Sequence, residues 1–276
     1  MARNLEYCAY TSNSHHPPVT AYSIWNNKHG VRLQGYNAQK ASFSRTINVK
    51  QIGHSFLRLD AYDEAYFFTL PSLHIEGLIT GSPYVELNRS TMIQSSSGYT
   101  AKIDYSGKGW VSGKKNSFSA SLWKEGHEKE PLYTAEGQWT DSFVMRDAKT
   151  KKQIDVYHAK AHKTTPLIVA PLEQQDPLES HRAWSKVARA IEKGDMNTVH
   201  YEKSLIENQQ REMRKEEAAN GRSWERRFFS RVDRAPEVEA LAKRLGEVLD
   251  VDKTNGIWMF DEKKAREKAP QIMGRS

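Results

Sequence analysis

Two groups of side chains in this sequence have the types and spacing to do chemistry. The first is Ser14-His15-His16-Pro17-Pro18. Proline fixes its own φ and pushes the residue before it out of the α region, so the Pro-Pro unit holds the imidazoles on an extended backbone. Paired histidines can donate hydrogen bonds to a phosphate, bind a metal, or act as general acid and base. Neighbours on an extended segment point to opposite faces, and no nearby carboxylate or thiolate completes a ligand set, so no metal site is assigned. On composition alone, a pair that merely hydrogen-bonds loops beside a strand stands as the alternative.

The second group is Lys203, Glu207 and Arg211, at i, i+4 and i+8, which rise along a single face of a helix. Spacing alone favours a solvated salt-bridge ladder. A binding role needs a second element opposite that face. The histidine pair is a candidate for it, because a polyanionic headgroup takes donors from several directions.

Other motifs carry less. Ser112-Gly113-Lys114-Lys115-Asn116-Ser117-Phe118 lacks the spacing of a nucleotide-binding loop, with Lys115 where Ser or Thr belongs. GxSxG, HExxH and GxGxxG are absent, so the common hydrolase and dehydrogenase signatures are missing. Asn88-Arg89-Ser90 is a formal glycosylation sequon, read as chance in a cytosolic chain. Nucleic-acid binding is set aside, since the aromatic residues sit at alternating strand positions and no RNP-type motif is present.

The elements that must position these groups divide near Pro171. Residues 1–170 carry 20 basic and 14 acidic groups, a net +6; residues 171–276 carry 21 and 20, a net +1 at higher charge density. The total of +7 and the pI near 9.3 favour anionic partners. A single cysteine, Cys8, excludes an internal disulfide and favours a reducing compartment, most simply the cytosol. Nothing reaches the run of about 18 apolar residues that a membrane span needs, and Met1 to Asn13 has no signal-peptide core, so any membrane contact is expected to be peripheral.

The first part reads as short strands over 19–25, 31–36, 42–49, 66–70, 99–105, 117–122 and 132–139, joined by connections short enough for antiparallel hairpins. In Tyr99 to Tyr105 the odd positions are apolar or aromatic while Lys102 and Asp104 face away, as in a sheet with one buried face. A meander curling into a barrel or a strongly curved sheet follows. The second part reads as helices: one from Asp176-Pro177 to Gly194, one from about Asn197 to Ala219, and one from Pro236 that places Val238, Leu241, Ala242, Leu245 and Leu249 on one face.

Taken together, these blocks resemble the lipid-binding domain of the oxysterol-binding protein family, especially its short fungal members. The likeness begins at Ser14-His15-His16-Pro17-Pro18, the latter part of the family signature EQVSHHPP. It runs through Leu33-Gln34-Gly35-Tyr36-Asn37, Leu73-His74-Ile75-Glu76-Gly77, Ile93-Gln94-Ser95-Ser96-Ser97-Gly98, the Ser112 to Phe118 block, Pro171-Leu172-Glu173 and Gln210 to Glu217. It covers nearly all of residues 14 to 260.

The resemblance implies a protein that is mainly β with α: an incomplete antiparallel β-barrel around a lipid tunnel, followed by a C-terminal helical region. Three parts are expected: an unmatched segment over 1–13, the barrel portion over 14–170, and a helical region over 171–276 packed on the barrel. No enzyme activity and no cofactor are implied. The implied ligands are one sterol or one phosphatidylinositol 4-phosphate at a time, exchanged between membranes. His15 and His16 look like the family's phosphate-binding pair, Lys203, Glu207 and Arg211 like its helix-borne headgroup contacts, and Asn37 and Gln51 like polar tunnel residues that reach a sterol hydroxyl. Anionic membrane surfaces are the expected peripheral partners, from a cytoplasmic location at organelle membranes.

Thr11-Ser12-Asn13 stands where the family has Glu-Gln-Val, and the family's lid, early strands and upstream Lys-Pro-x-Asn-Pro loop have no counterpart here. The expectation is therefore an N-terminally truncated member. A phosphoinositide-binding adaptor or regulatory fragment without transfer activity is the alternative.

Overall fold

The computed structural model describes residues 7–15, 18–44, 46–78, 81–107, 113–162, 169, 171–175, 177, 179–222, 226, 228–249 and 251–268. Among the described residues thirteen strands form one sheet: β1 (Tyr7–His15), β2 (Pro18–Asn26), β3 (Val31–Phe43), β4 (Ile47–Leu59), β5 (Glu64–Thr69), β6 (Ser72–Glu76), β7 (Tyr84–Asn88), β8 (Ser90–Ser95), β9 (Tyr99–Ser106), β10 (Ser117–Lys124), β11 (Tyr133–Gln138), β12 (Ser142–Asp147) and β13 (Gln153–His158). The helical part contains α1 (Ser180–Ala183), α2 (Ser185–Glu192), α3 (Met196–Ala219), α4 (Pro236–Arg244), α5 (Val251–Thr254) and α6 (Glu262–Lys268), with a two-stranded ribbon of β14 (Phe229–Val232) and β15 (Ile257–Phe260) among them.

Neighbouring strands are antiparallel throughout, in the order β1-β2-β3-β4-β5-β8-β9-β10-β11-β12-β13, with β6 and β7 a side hairpin paired to β4. β1 and β13 do not bond to each other, so the sheet is open, as the incomplete barrel anticipates. The expected mainly-β architecture with a helical C-terminal part is what the chain adopts.

Local differences have local causes. A single strand over 42–49 was the expectation; instead β3 ends at Phe43, Ser44 N–H bonds the Thr46 carbonyl, and β4 starts at Ile47. This tight turn carries no glycine, proline or asparagine, so the β-forming residues on both sides hide it. The first predicted helix begins later, at Ser180, and breaks at Trp184 (φ −96°, ψ 4°), with Pro177 in a turn before it and Asp176 outside the described residues. α4 stops at Arg244 because Gly246 takes φ +70° and the Glu247 N–H returns to the Ala242 carbonyl, which leaves Leu249 beyond the helix.

The two faces of the sheet have different fates. Across β2 to β5, Val19, Ala21, Trp25, Tyr36, Ala38, Phe56, Ala65 and Phe67 are buried under the C-terminal elements, where Phe229, Val238, Leu241, Ala242, Ile257 and Trp258 complete one core. Polar latches fix this cover. Arg58 pairs with Glu237 at 2.7 Å, Arg32 with Glu262 at 3.3 Å, and the Gln34 side-chain oxygen accepts the Phe260 N–H at 3.1 Å.

His54 lies in that covered face, 2% exposed, edge-on to Tyr36 and tilted against Phe67, with Nδ1 unpartnered among the described residues. Burial disfavours the imidazolium and pushes its pKa down to about 4. Between pH 6.5 and 4 the unfolded chain therefore binds the extra proton, and stability falls as pH falls through that window. The accumulated loss at pH 4 is about 3 kcal/mol. Urea unfolding of wild type and His54→Phe, which keeps a ring between Tyr36 and Phe67, should show the variant gaining about that much on the wild type from pH 7 to pH 4. A difference that does not change with pH would mean the imidazole is not held neutral.

Candidate lipid-binding site

The opposite face of the sheet is continuous. Its cross-strand register runs Tyr22–Gly35–Ser55–Phe68–Ile93–Ala101–Leu122–Tyr133 through β2, β3, β4, β5, β8, β9, β10 and β11. Side chains alternate along each strand, so positions two residues away share the face. Over β9 to β12 that rule collects Ala101, Ile103, Tyr105, Phe118, Ala120, Leu122, Ala135, Phe143 and Met145, which line an apolar groove of about 350 Å³. Phe118 meets Phe143 edge-on, and Phe143 stacks on Tyr157.

The same rule puts Asn37 and Gln51 on this face, at its β3–β4 end. Asn37 Nδ2 donates to Gln51 Oε1 at 3.1 Å, and Gln51 Nε2 donates to the Pro71 carbonyl at 2.8 Å. Gln51 is thus fixed in one orientation by a donor and an acceptor. Both side chains are half-buried, so polar atoms remain within reach of a hydroxyl brought to the end of the apolar wall.

Glycines make room for this arrangement. At Gly35 a Cβ would stand 2.5 Å from Tyr22 Oη, and it is across this gap that Tyr22 reaches Ser55 Oγ at 2.5 Å. At Gly53, opposite Asn37, φ is +131° and a Cβ would meet the Tyr36 carbonyl at 2.1 Å. Burial pushes the Tyr22 phenol up, against the opposing pull of its Ser55 hydrogen bond. The Tyr22–Ser55 pair and the Pro71 carbonyl escaped the sequence reading, because hydroxyls and carbonyls so far apart converge only through register.

The charged candidates occupy the other part of the molecule. Lys203, Glu207 and Arg211 lie on α3, whose N-cap Asp195 accepts from the Thr198 N–H. Lys203 Nζ is 3.6 Å and Arg211 Nη2 3.7 Å from Glu207, and Arg211 Nη1 also donates to Asn208 at 2.7 Å. The salt-bridge ladder therefore forms. Its members are 44–58% exposed, and such pairs contribute only about 0.3–0.5 kcal/mol each, which leaves both cations open to a stronger anion.

α2 packs along α3, and α1 packs against β1, which attaches the helical hairpin at the β1 edge of the sheet. His15 is the last residue of β1, opposite Pro18 of β2. Its side chain, and the whole of His16, lie outside the described residues.

The family profile described as "Oxysterol-binding protein" matches residues 8–190. The chain belongs to the oxysterol-binding protein family. Among its relatives are the "Probable transporter efuK" of Hormonema carpetanum, 42% identical over 91% of this chain and 37% of that protein, and "Protein kes1" of Schizosaccharomyces pombe, 41% identical over 90% of this chain and 64% of that protein. The chain thus spans between about two-fifths and two-thirds of the length of these two family members. Its fold is similar to that of the Osh1 ORD domain, solved in complex with ergosterol, with a TM-score of 0.67, 16% identity, and coverage of 99% of this chain and 71% of that one. It is also similar to the Osh3 ORD of Saccharomyces cerevisiae in complex with PI(4)P, with a TM-score of 0.61, 18% identity, and coverage of 90% and 73%.

Proposed function

We propose that this chain is a lipid carrier that holds one sterol or one phosphatidylinositol 4-phosphate at a time and exchanges the two between membranes without covalent chemistry. The observation that carries this reading is the uninterrupted inner face, apolar from β9 to β12 and carrying at its β3–β4 end the half-buried amide pair of Asn37 and Gln51. A sterol needs a dry apolar wall with a few fixed polar groups at one end, and this face supplies both. The solved ORD domains named above, which hold ergosterol and PI(4)P, add support on the side of the fold.

In this reading His15 and His16 donate to the headgroup phosphate, Lys203 and Arg211 add charge, and Glu207 accepts from inositol hydroxyls. Binding would replace the weak ladder on α3 with shorter charge-assisted bonds. Asn37 and Gln51 face the sterol hydroxyl. Because both lipids need the same face, they compete, and the gradients of the two lipids set the direction of exchange. Peripheral association with organelle membranes from the cytoplasm follows from the same reading.

The test is extraction from liposomes. The wild-type chain should remove a fluorescent sterol and, separately, phosphatidylinositol 4-phosphate, and each lipid should suppress uptake of the other. A chain that binds anionic vesicles and extracts neither lipid is an adaptor, and the carrier reading is then wrong.

A further inference from the structure

We propose that the turn end of the β3–β4 hairpin, beyond the pairing of β3 with β2 and bordered on the β4 side by β6, is the element that docks on an anionic bilayer, with Phe43 as the inserted side chain and Lys40 and Lys50 as the headgroup contacts. The proposal rests on the carrier reading, since a protein that takes lipid from a bilayer must touch that bilayer close to its binding face.

Three independent features of the hairpin point there. β2 begins at Pro18 and its pairing with β3 ends at Val19 opposite Ala38, so among the described residues Gln39 to Phe43 continue with β4 as their only partner strand. Every residue from Gln39 to Ser44 is exposed, and Phe43, near the turn, is 76% exposed, more than any other phenylalanine, tyrosine or tryptophan among the described residues. On the Lys50 side, Val248 is 85% exposed and lines the same polar pocket as Lys50.

The charges on the hairpin itself have one sign; the acidic side chains brought beside it are Glu247, in the Lys50 pocket, and Glu76, which follows Ile75, the partner of Ile47. Between Glu6 and Asp60 the sequence holds no acidic residue, while Lys28, Arg32, Lys40, Arg45, Lys50 and Arg58 all fall there. Arg32 and Arg58, at the root of the hairpin, are neutralised by Asp60, Asp63, Glu237 and Glu262. Toward the tip the described lysines have no such partner, and Glu76 pairs with His74 instead. Lys40 and Lys50 stand directly opposite each other across the strands, and neither forms an ion pair among the described residues; Glu247, which also lines the Lys50 pocket, does not pair with it. Like charges facing each other across an antiparallel pair are destabilising, so the arrangement calls for an external anion. Lysines also protect free strand edges from unwanted pairing, but that role explains no exposed phenylalanine. An acid-free hairpin end with two lysines and a protruding aromatic residue matches an anionic bilayer surface, where basic side chains sit among headgroups and the ring enters the acyl boundary.

The register also relates this tip to the headgroup residues. His15 is opposite Pro18, and Pro18 is next to Val19, the partner of Ala38. His15 thus lies about two strand spacings, roughly 10 Å, from the start of the exposed hairpin end. A bilayer seated on Phe43, Lys40 and Lys50 would present its headgroups beside the turn that carries the histidines.

Two measurements test the proposal on the full chain. The first is flotation with vesicles of phosphatidylcholine, alone or mixed with phosphatidylserine. The second is uptake of a fluorescent sterol from cyclodextrin, which needs no bilayer. Phe43→Ala and the double variant Lys40→Ala/Lys50→Ala should each weaken binding to phosphatidylserine vesicles on the order of tenfold, with salt sensitivity reduced only in the lysine variant, while sterol uptake from cyclodextrin stays at the wild-type level. If both variants float with phosphatidylserine vesicles as the wild type does, the hairpin is not the docking element. If the wild type takes up no sterol from cyclodextrin and no phosphatidylinositol 4-phosphate from vesicles, the carrier reading fails, and the flotation comparison still decides the role of the hairpin.

Discussion

Replacing His15 and His16 together with alanine should lower phosphatidylinositol 4-phosphate extraction at least a hundredfold and leave sterol extraction near the wild-type rate. Hydrogen bonds to a charged group contribute about 1.5–3 kcal/mol each, so loss of two such bonds costs about 3–6 kcal/mol, or two to four orders of magnitude in affinity. On the proposed reading sterol is spared, because the wall and polar end assigned to it are made by β3, β4 and β9 to β12, whose strand pairing is with one another and their sheet neighbours. Equal loss of both lipids would show that the pair supports the fold of the β1–β2 turn. Unchanged phosphoinositide extraction would remove it from the headgroup site.

The second large effect belongs to the cover on the far side of the sheet. Trp258 is 1% exposed, donates its indole N–H to the Thr254 carbonyl at 2.9 Å, and lies under the Arg226 guanidinium, 4.9 Å from the ring centre. Trp258→Ala removes the largest fully buried side chain of the core that joins β2 to β5 to the C-terminal elements. A loss of about 3–5 kcal/mol in unfolding free energy is expected, and such a loss is a large part of the stability of a typical domain. Thermal or urea unfolding measures it directly. A change below about 1 kcal/mol would mean that the C-terminal cover is not part of the cooperative unit.

How far the sequence revealed this molecule depended on whether the signal was local. Tyr99 to Tyr105 and Ser117 to Leu122 alternate cleanly because one face is apolar, and they became β9 and β10 with nearly the expected bounds. β6, β7 and β8 went unread, since Ser72–Glu76, Tyr84–Asn88 and Ser90–Ser95 are short and mix His, Glu, Asn and Ser with their apolar residues. Half-buried positions on both faces give such strands no period to detect. β14 and β15 were hidden differently: four residues each, they exist as a ribbon only because one packs beside the other. Helix α3 was legible almost to the residue, from its propensity and its Asn220-Gly221 stop.

The candidate site divides along the same line. The spacing of Lys203, Glu207 and Arg211 is local and gave the ladder that the structure contains. Asn37 and Gln51 entered through the family resemblance. Their mutual hydrogen bond follows from the β3–β4 register, which in turn depends on a turn at Ser44 to Thr46 that the sequence conceals.

The separation in sequence between the sheet and its cover also sets an order of events during synthesis. β2 to β5 can pair as successive hairpins as soon as they are made, because their contacts are between neighbours in the chain. The residues that shield their second face begin at Phe228 and end near Ala265, so they leave the ribosome well after the sheet. For most of translation the nascent sheet therefore carries Val19, Ala21, Tyr36, Ala38, Phe56 and Phe67 uncovered, beside an inner face that is itself apolar. A sheet exposed on both sides is the kind of intermediate that chaperones hold, and the rate at which the covering segment arrives governs how long this chain is open to aggregation.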